Sequence, residues 1–146
     1  MEDNNVAILI EAKTEYNKQI IKILRHHLYN GIKRIYNESK DICNDENNMS
    51  FILIQFQELL SKIPKWSNEI KEKEYTRIVT KSNCDWLEDL ITAVFICHTK
   101  VLSIINNNIE KKVNIKIPKP VNFIHLCYIE AAREFWKNPY LFSENV

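Results

Sequence analysis

Glycine is nearly absent from this chain of 146 residues, which holds Gly31 and no other. An average protein of this length would hold about ten. Phosphate-cradling loops, tight hairpin turns and close backbone approaches to dinucleotides all draw on glycine, because they need positive φ or bare backbone amides. The scarcity argues against a P-loop, a dinucleotide-binding fold and a hairpin-rich barrel or sandwich, and leaves helices packed on helices. Paired cysteines are also missing. Cys43, Cys84, Cys97 and Cys127 lie far apart with no Cys-x-x-Cys, which excludes a zinc ribbon or thioredoxin motif and makes reduced thiols the expectation. No apolar run approaches the length of a membrane span, and Met1-Glu2-Asp3-Asn4-Asn5 is acidic and polar where a signal peptide is basic and then apolar. A soluble intracellular chain is expected. The formal net charge of +1 supplies no bulk attraction to nucleic acid or anionic lipid, so any such binding must come from a local patch.

Apolar residues at 45% and charged residues at 27% are ordinary for a globular protein, and the length suits one domain covering residues 1–146. From about Leu9 to Glu38, Tyr16, Ile20, Ile23, Leu24, Leu28 and Ile35 recur at three- and four-residue steps, which predicts a long amphipathic helix. A polar, Asn/Asp-rich stretch from Ser39 to Asn48 reads as a loop, and the main bundle follows from about 49 to 142. Its second helix runs from about Met49 to Lys62. Pro64 breaks the pattern and, being tolerated in a first turn, starts a third helix that ends near Lys81. Ser82-Asn83-Cys84-Asp85 has the chemistry of a helix start and opens the most apolar helix, Trp86 to about Asn106, which is expected at the centre of the bundle. The alternation Val113-Asn114-Ile115-Lys116-Ile117 predicts one short strand, and a last helix from about Val121 to Lys137 stops at Asn138-Pro139. The expected fold is therefore all-α: a single bundle of about five helices with a strand near 113–117.

Several residue groups invite a chemical reading. Cys97, His98, His125 and Cys127 are the donor types zinc prefers, but neighbours one or two apart on a helix point about 100° or 200° away from each other, so neither pair converges on one ion. Cys97 or Cys84 beside His98, with Asp85 or Asp89, would supply a nucleophile, a base and an orienting acid. No oxyanion loop or nucleophile elbow accompanies them, and neither an enzyme nor a cofactor is expected. Lys18, Lys22, Arg25, Tyr29 and Lys33 form a stripe on the first helix suited to phosphates, although Glu11 and Glu15 continue it with the opposite sign. A lone strand must pair internally or offer its edge to another chain, which makes Ile115 and Lys116 contact candidates. The run Phe135-Trp136-Lys137-Asn138-Pro139-Tyr140-Leu141-Phe142 carries more apolar surface than a free tail needs, so it either closes the chain's own core or docks a neighbour.

Three stretches carry a resemblance: Phe56-Gln57-Glu58-Leu59-Leu60-Ser61-Lys62-Ile63-Pro64-Lys65-Trp66, Asp85-Trp86-Leu87-Glu88-Asp89-Leu90-Ile91-Thr92-Ala93-Val94-Phe95, and Phe123-Ile124-His125-Leu126-Cys127-Tyr128-Ile129-Glu130-Ala131-Ala132-Arg133-Glu134 through Phe142. Together they resemble a family of uncharacterised proteins of large nucleocytoplasmic DNA viruses, the mimivirus-like giant viruses. The heavy use of Ile, Lys and Asn, all with A/T-rich codons, agrees with such genomes. The resemblance implies a non-enzymatic structural protein of the virion, present in host cytoplasm during assembly, as a minor capsid component packed against major capsid protein or against itself. Trp66, Trp136, Tyr140 and Phe142, with Ile115 and Lys116, are the expected partner contacts. The alternative is a nucleic-acid-binding factor acting through Lys18, Lys22, Arg25 and Lys33.

Overall fold

A computed structural model describes residues 2–43, 48–105 and 117–142. Five α-helices occur among them: α1 Glu2–Cys43, α2 Met49–Ser61, α3 Asn68–Ser82, α4 Leu87–Ile105 and α5 Pro120–Lys137, with short 3-10 turns at Ile63–Lys65 and Pro139–Leu141. The described residues are all-helical and contain no strand. The strand expected at 113–117 falls almost wholly on residues outside the described ones, Ile115 and Lys116 included.

Helix α1 is longer than its periodicity suggested. Its 42 residues reach about 63 Å at 1.5 Å per residue, and Ile20, Leu24, Ile32 and Tyr36 form its buried stripe, joined by Ser39. Ser39 sits in that stripe without penalty because its Oγ donates to the Ile35 carbonyl at 3.1 Å. Every other helix packs on α1, whereas α4 and α5 barely touch one another. The centre of the molecule is thus α1, which corrects the expectation for α4. Mean apolarity misled there because α4 buries Leu87, Leu90, Ile91, Val94 and Val101 mainly on one neighbour. Lys13 meets His98, Leu9 lies by Ile104, and Trp86 lies by His26, so α4 runs antiparallel along the N-terminal half of α1. The C-terminal half holds α2, α3 and α5, with Tyr36 edge-on to Phe56 at 5.3 Å and Arg34 reaching Glu74 on α3.

Two expected boundaries differ for local reasons. Pro64 lies in the 3-10 turn, after which Trp66 becomes extended (φ −57°, ψ 140°), and α3 begins only at Asn68. Ser67 is its cap, accepting from the Ile70 amide at 3.3 Å. Ser82-Asn83, expected as a helix start, instead ends α3: Asn83 adopts the left-handed conformation at φ 53° that closes helices, and Ser82 Oγ accepts from the Cys84 amide at 3.3 Å. Asparagine tolerates this geometry better than other side-chain-bearing residues, so a chain nearly devoid of glycine can still turn sharply here.

Candidate functional site

Three parts of the molecule could carry function: a polar cluster inside the bundle, the aromatic C-terminus, and a basic groove along α1.

The interior cluster centres on Glu74. Its carboxylate accepts from Arg34 at 2.5 Å, from Arg77 at 3.0 Å and from the Tyr128 hydroxyl at 2.6 Å. Arg77 Nη2 also donates to the His27 carbonyl at 3.0 Å, tying α3 to α1. Burial acts to raise the Glu74 pKa, but hydrogen bonds from Tyr128, Arg34 and Arg77 outweigh it and hold the carboxyl below the ordinary value of 4.5. Burial opposes the charge of Arg77, yet its bond to Glu74 keeps the guanidinium firmly protonated. Tyr128 is pushed well up by burial and by the adjacent carboxylate. With every partner engaged and Tyr128 fully buried, the cluster fastens helices and holds no poised acid or base. Because the folded pKa of Glu74 lies below its unfolded value, its contribution is complete above about pH 4.5 and fades as pH falls through the folded value. Glu74→Gln is expected to cost about 1–2 kcal/mol at neutral pH, with the deficit shrinking as pH falls below the ordinary carboxylate range; urea melts of both proteins across pH measure this, and a pH-independent difference would refute it.

Of the residues weighed as metal ligands or nucleophiles, the two histidines are hydrogen-bonded elsewhere. His98 Nδ1 accepts from Lys13 Nζ at 2.8 Å, and His125 Nε2 donates to the Ile63 carbonyl at 2.7 Å. Cys127 is half-buried, and its thiol is pushed up to about 11 by desolvation. Burial likewise raises the Cys84 thiol, which lies in the connection before α4, whereas His98 lies about three turns inside that helix. Among the described residues no three His, Cys, Asp or Glu side chains could hold a metal ion.

The expected partner contacts separate into two kinds. Phe142 is buried among Phe135, Tyr29, Tyr36 and Phe56, with ring centroids 4.7–5.8 Å away. Trp66 is half-buried against His125 at 5.9 Å and Tyr128 at 5.0 Å, holding the α2–α3 connection onto α5. Both belong to the chain's own packing. Trp136 and Tyr140, by contrast, are 52% and 46% exposed. Gln57 Nε2 donates to the Trp136 carbonyl at 2.8 Å, and Tyr140 Oη donates to Asn138 Oδ1 at 3.3 Å, so the exposed rings stand on a fixed turn.

Lys18, Lys22, Arg25 and Lys33 are all exposed on α1. Lys18 pairs with Glu15 at 3.3 Å, which ends the basic stripe on the N-terminal side. Folding adds residues that the stripe alone did not reveal. Arg77 and Lys81 from α3 and Trp86 from the α3–α4 junction come up beside His26 and Asn30, lining a depression of about 830 Å³. A second depression of about 630 Å³ shares Lys22 and His26 with it and extends to Lys18, Arg25 and Tyr29. His27 is pulled down by burial and then by the positive charges of His26 and Arg77. From the sequence, only the stripe Lys18, Lys22, Arg25, Tyr29 and Lys33 pointed here; Lys81 and Trp86 lie more than forty residues further along the chain.

These features define an all-α bundle organised on one long helix, with an aromatic platform at one terminus and a basic groove on the long helix. The chain belongs to the family of unknown function DUF5764, whose model matches residues 6–143. No curated protein and no solved structure matches it. No described helix is long and apolar enough to cross a membrane.

Proposed function

We propose that the protein is a non-enzymatic structural component of a giant-virus particle, a minor capsid protein that docks on other viral structural proteins such as the major capsid protein. The observation that carries the reading is the pair Trp136 and Tyr140, both exposed, one in the last turn of α5 and the other four residues on in the 3-10 turn, while the next aromatic, Phe142, is plugged into the core. Large aromatics already held in place lose little freedom on binding, which is why such residues dominate protein interfaces. The resemblance of residues 48–142 to giant-virus proteins supplies the virion as the setting and host cytoplasm as the place of assembly. The pairing edge expected at Val113–Ile117 belongs to the same proposal.

Cross-linking mass spectrometry on intact virions tests it. Reproducible links from the α5 end of this chain to capsid proteins are expected; links mainly to nucleoid proteins, or absence from particles, would overturn it. In addition, the double variant Trp136→Ala/Tyr140→Ala is expected to change folding stability by under about 1 kcal/mol while lowering incorporation into particles. Normal incorporation of a folded double variant would remove this platform from the interface.

A further inference from the structure

The groove between α1 and the α3–α4 junction has the chemistry of a phosphate track. From residue 16 to residue 37, α1 carries Lys18, Lys22, Arg25, Lys33 and Arg34 with His26 and His27, and no aspartate or glutamate. Successive cations at Lys18, Lys22, Arg25 and Lys33 extend over about 22 Å of helix. The two adjoining depressions meet at Lys22 and His26, and neither is lined by a carboxylate. Arg34 and Arg77 are engaged by Glu74, so their charges serve the fold. Among the described residues, however, Lys22, Arg25 and Lys81 enter no ion pair and are exposed. Holding like charges together without compensation is unfavourable, and two helices, α1 and α3, nonetheless contribute to the concentration.

An aromatic wall distinguishes the groove from a merely solvated helix face. Trp86 stands 52% exposed at its edge, on the short connection between α3 and α4, where an apolar ring of that size gains nothing from water. Tyr29 lines the other depression, with one face stacked on Phe142 at 5.1 Å. Cations that follow a backbone beside an aromatic that accepts an unpaired base are the two elements of single-strand recognition, since a duplex keeps its base faces covered.

We propose that this groove binds single-stranded nucleic acid, with Lys22, Arg25 and Lys81 on the phosphates and Trp86 stacking a base. The site shares no residue with the Trp136 and Tyr140 platform, so it stands or falls separately from the capsid reading.

Fluorescence anisotropy of the full chain with a labelled oligothymidine of about 20 nucleotides, titrated over roughly 50–300 mM salt, tests the proposal. Affinity should fall linearly in log–log form with salt. Lys22→Glu/Lys81→Glu should weaken binding at least about tenfold and flatten the salt slope. Trp86→Ala should weaken it about tenfold with the slope unchanged, because stacking releases no counterions. Lys62→Glu/Lys65→Glu, in the turn before α3, serves as the charge control and should lose less than about twofold. Circular dichroism confirms that each variant is folded. Absence of binding by the folded protein at the lowest salt, equal losses in the control, or a preference for duplex that Trp86→Ala leaves untouched would overturn the proposal.

Discussion

Replacing Gly31 with alanine is expected to destabilise the protein by about 2–3 kcal/mol, even though alanine is the better helix former by about 1 kcal/mol. The two effects oppose each other, and the packing decides. Gly31 lies in the interior of α1 where the Tyr128 ring rests on its Cα; an added Cβ would stand 2.8 Å from both Cε1 and Cζ and closer still to the hydroxyl. The ring has no room to withdraw. Trp66 lies against it at 5.0 Å, and its hydroxyl is held by Glu74 and Arg77. Relief must therefore come from moving α5 away from α1, which opens the contacts of Ile124 and Ala132 as well. For a chain of this length the loss corresponds to a fall of roughly 5–10 °C in Tm. Tyr128→Phe in the Gly31→Ala background should recover part of it, since the closest atom is gone, giving a non-additive double-mutant cycle. A neutral or stabilising Gly31→Ala would mean that α5 does not approach α1 at this point.

A comparable loss, about 3–4 kcal/mol, is expected for Phe142→Ala. Phe142 is 4% exposed and touches rings from α1, α2 and α5 at once, through Tyr29 and Tyr36, Phe56, and Phe135. Truncation would leave a cavity walled by aromatic rings, which collapse poorly because each is fixed by its own helix. Phe142→Leu should cost clearly less, about 1–1.5 kcal/mol, by filling most of that volume. Thermal melts followed by far-UV circular dichroism measure the series. The comparison with Trp136→Ala is informative, because two aromatics six residues apart should differ severalfold in their effect on folding. An unchanged Tm for Phe142→Ala would show that the C-terminal turn does not close the core, and would also free it for the interface.

How far the fold could be read in advance depended on whether the deciding interactions were local. Helices α2 and α5 began and ended within a residue of their expected limits, because Asn48, Pro120 and Asn138-Pro139 set those ends through backbone chemistry in the same few residues. The break at Pro64 was visible, but its consequence was not. Proline permits either a helix start or a 3-10 turn, and His125, sixty-two residues away, supplies the bond to the Ile63 carbonyl that favours the turn. Asn83 misled for a related reason, since asparagine serves both as a cap at helix starts and as a left-handed closing residue. At the surface, the stripe Lys18, Lys22, Arg25 and Lys33 followed directly from helical spacing, whereas Lys81 and Trp86 joined it only through the docking of α3 and α4 on α1.

Sequence alone determined that this chain is helical: one glycine removes the alternatives, and apolar residues at three- and four-residue steps leave each helix a face that must be buried. Tertiary structure decided which helix lies at the centre, which aromatic is core and which is surface, and where positive charge collects. Those outcomes depend on pairs such as Gly31 with Tyr128, Phe56 with Phe142, and Lys22 with Lys81. Each pair lies far apart along the chain, and its energy depends on distance in space, which periodicity within a single helix does not encode.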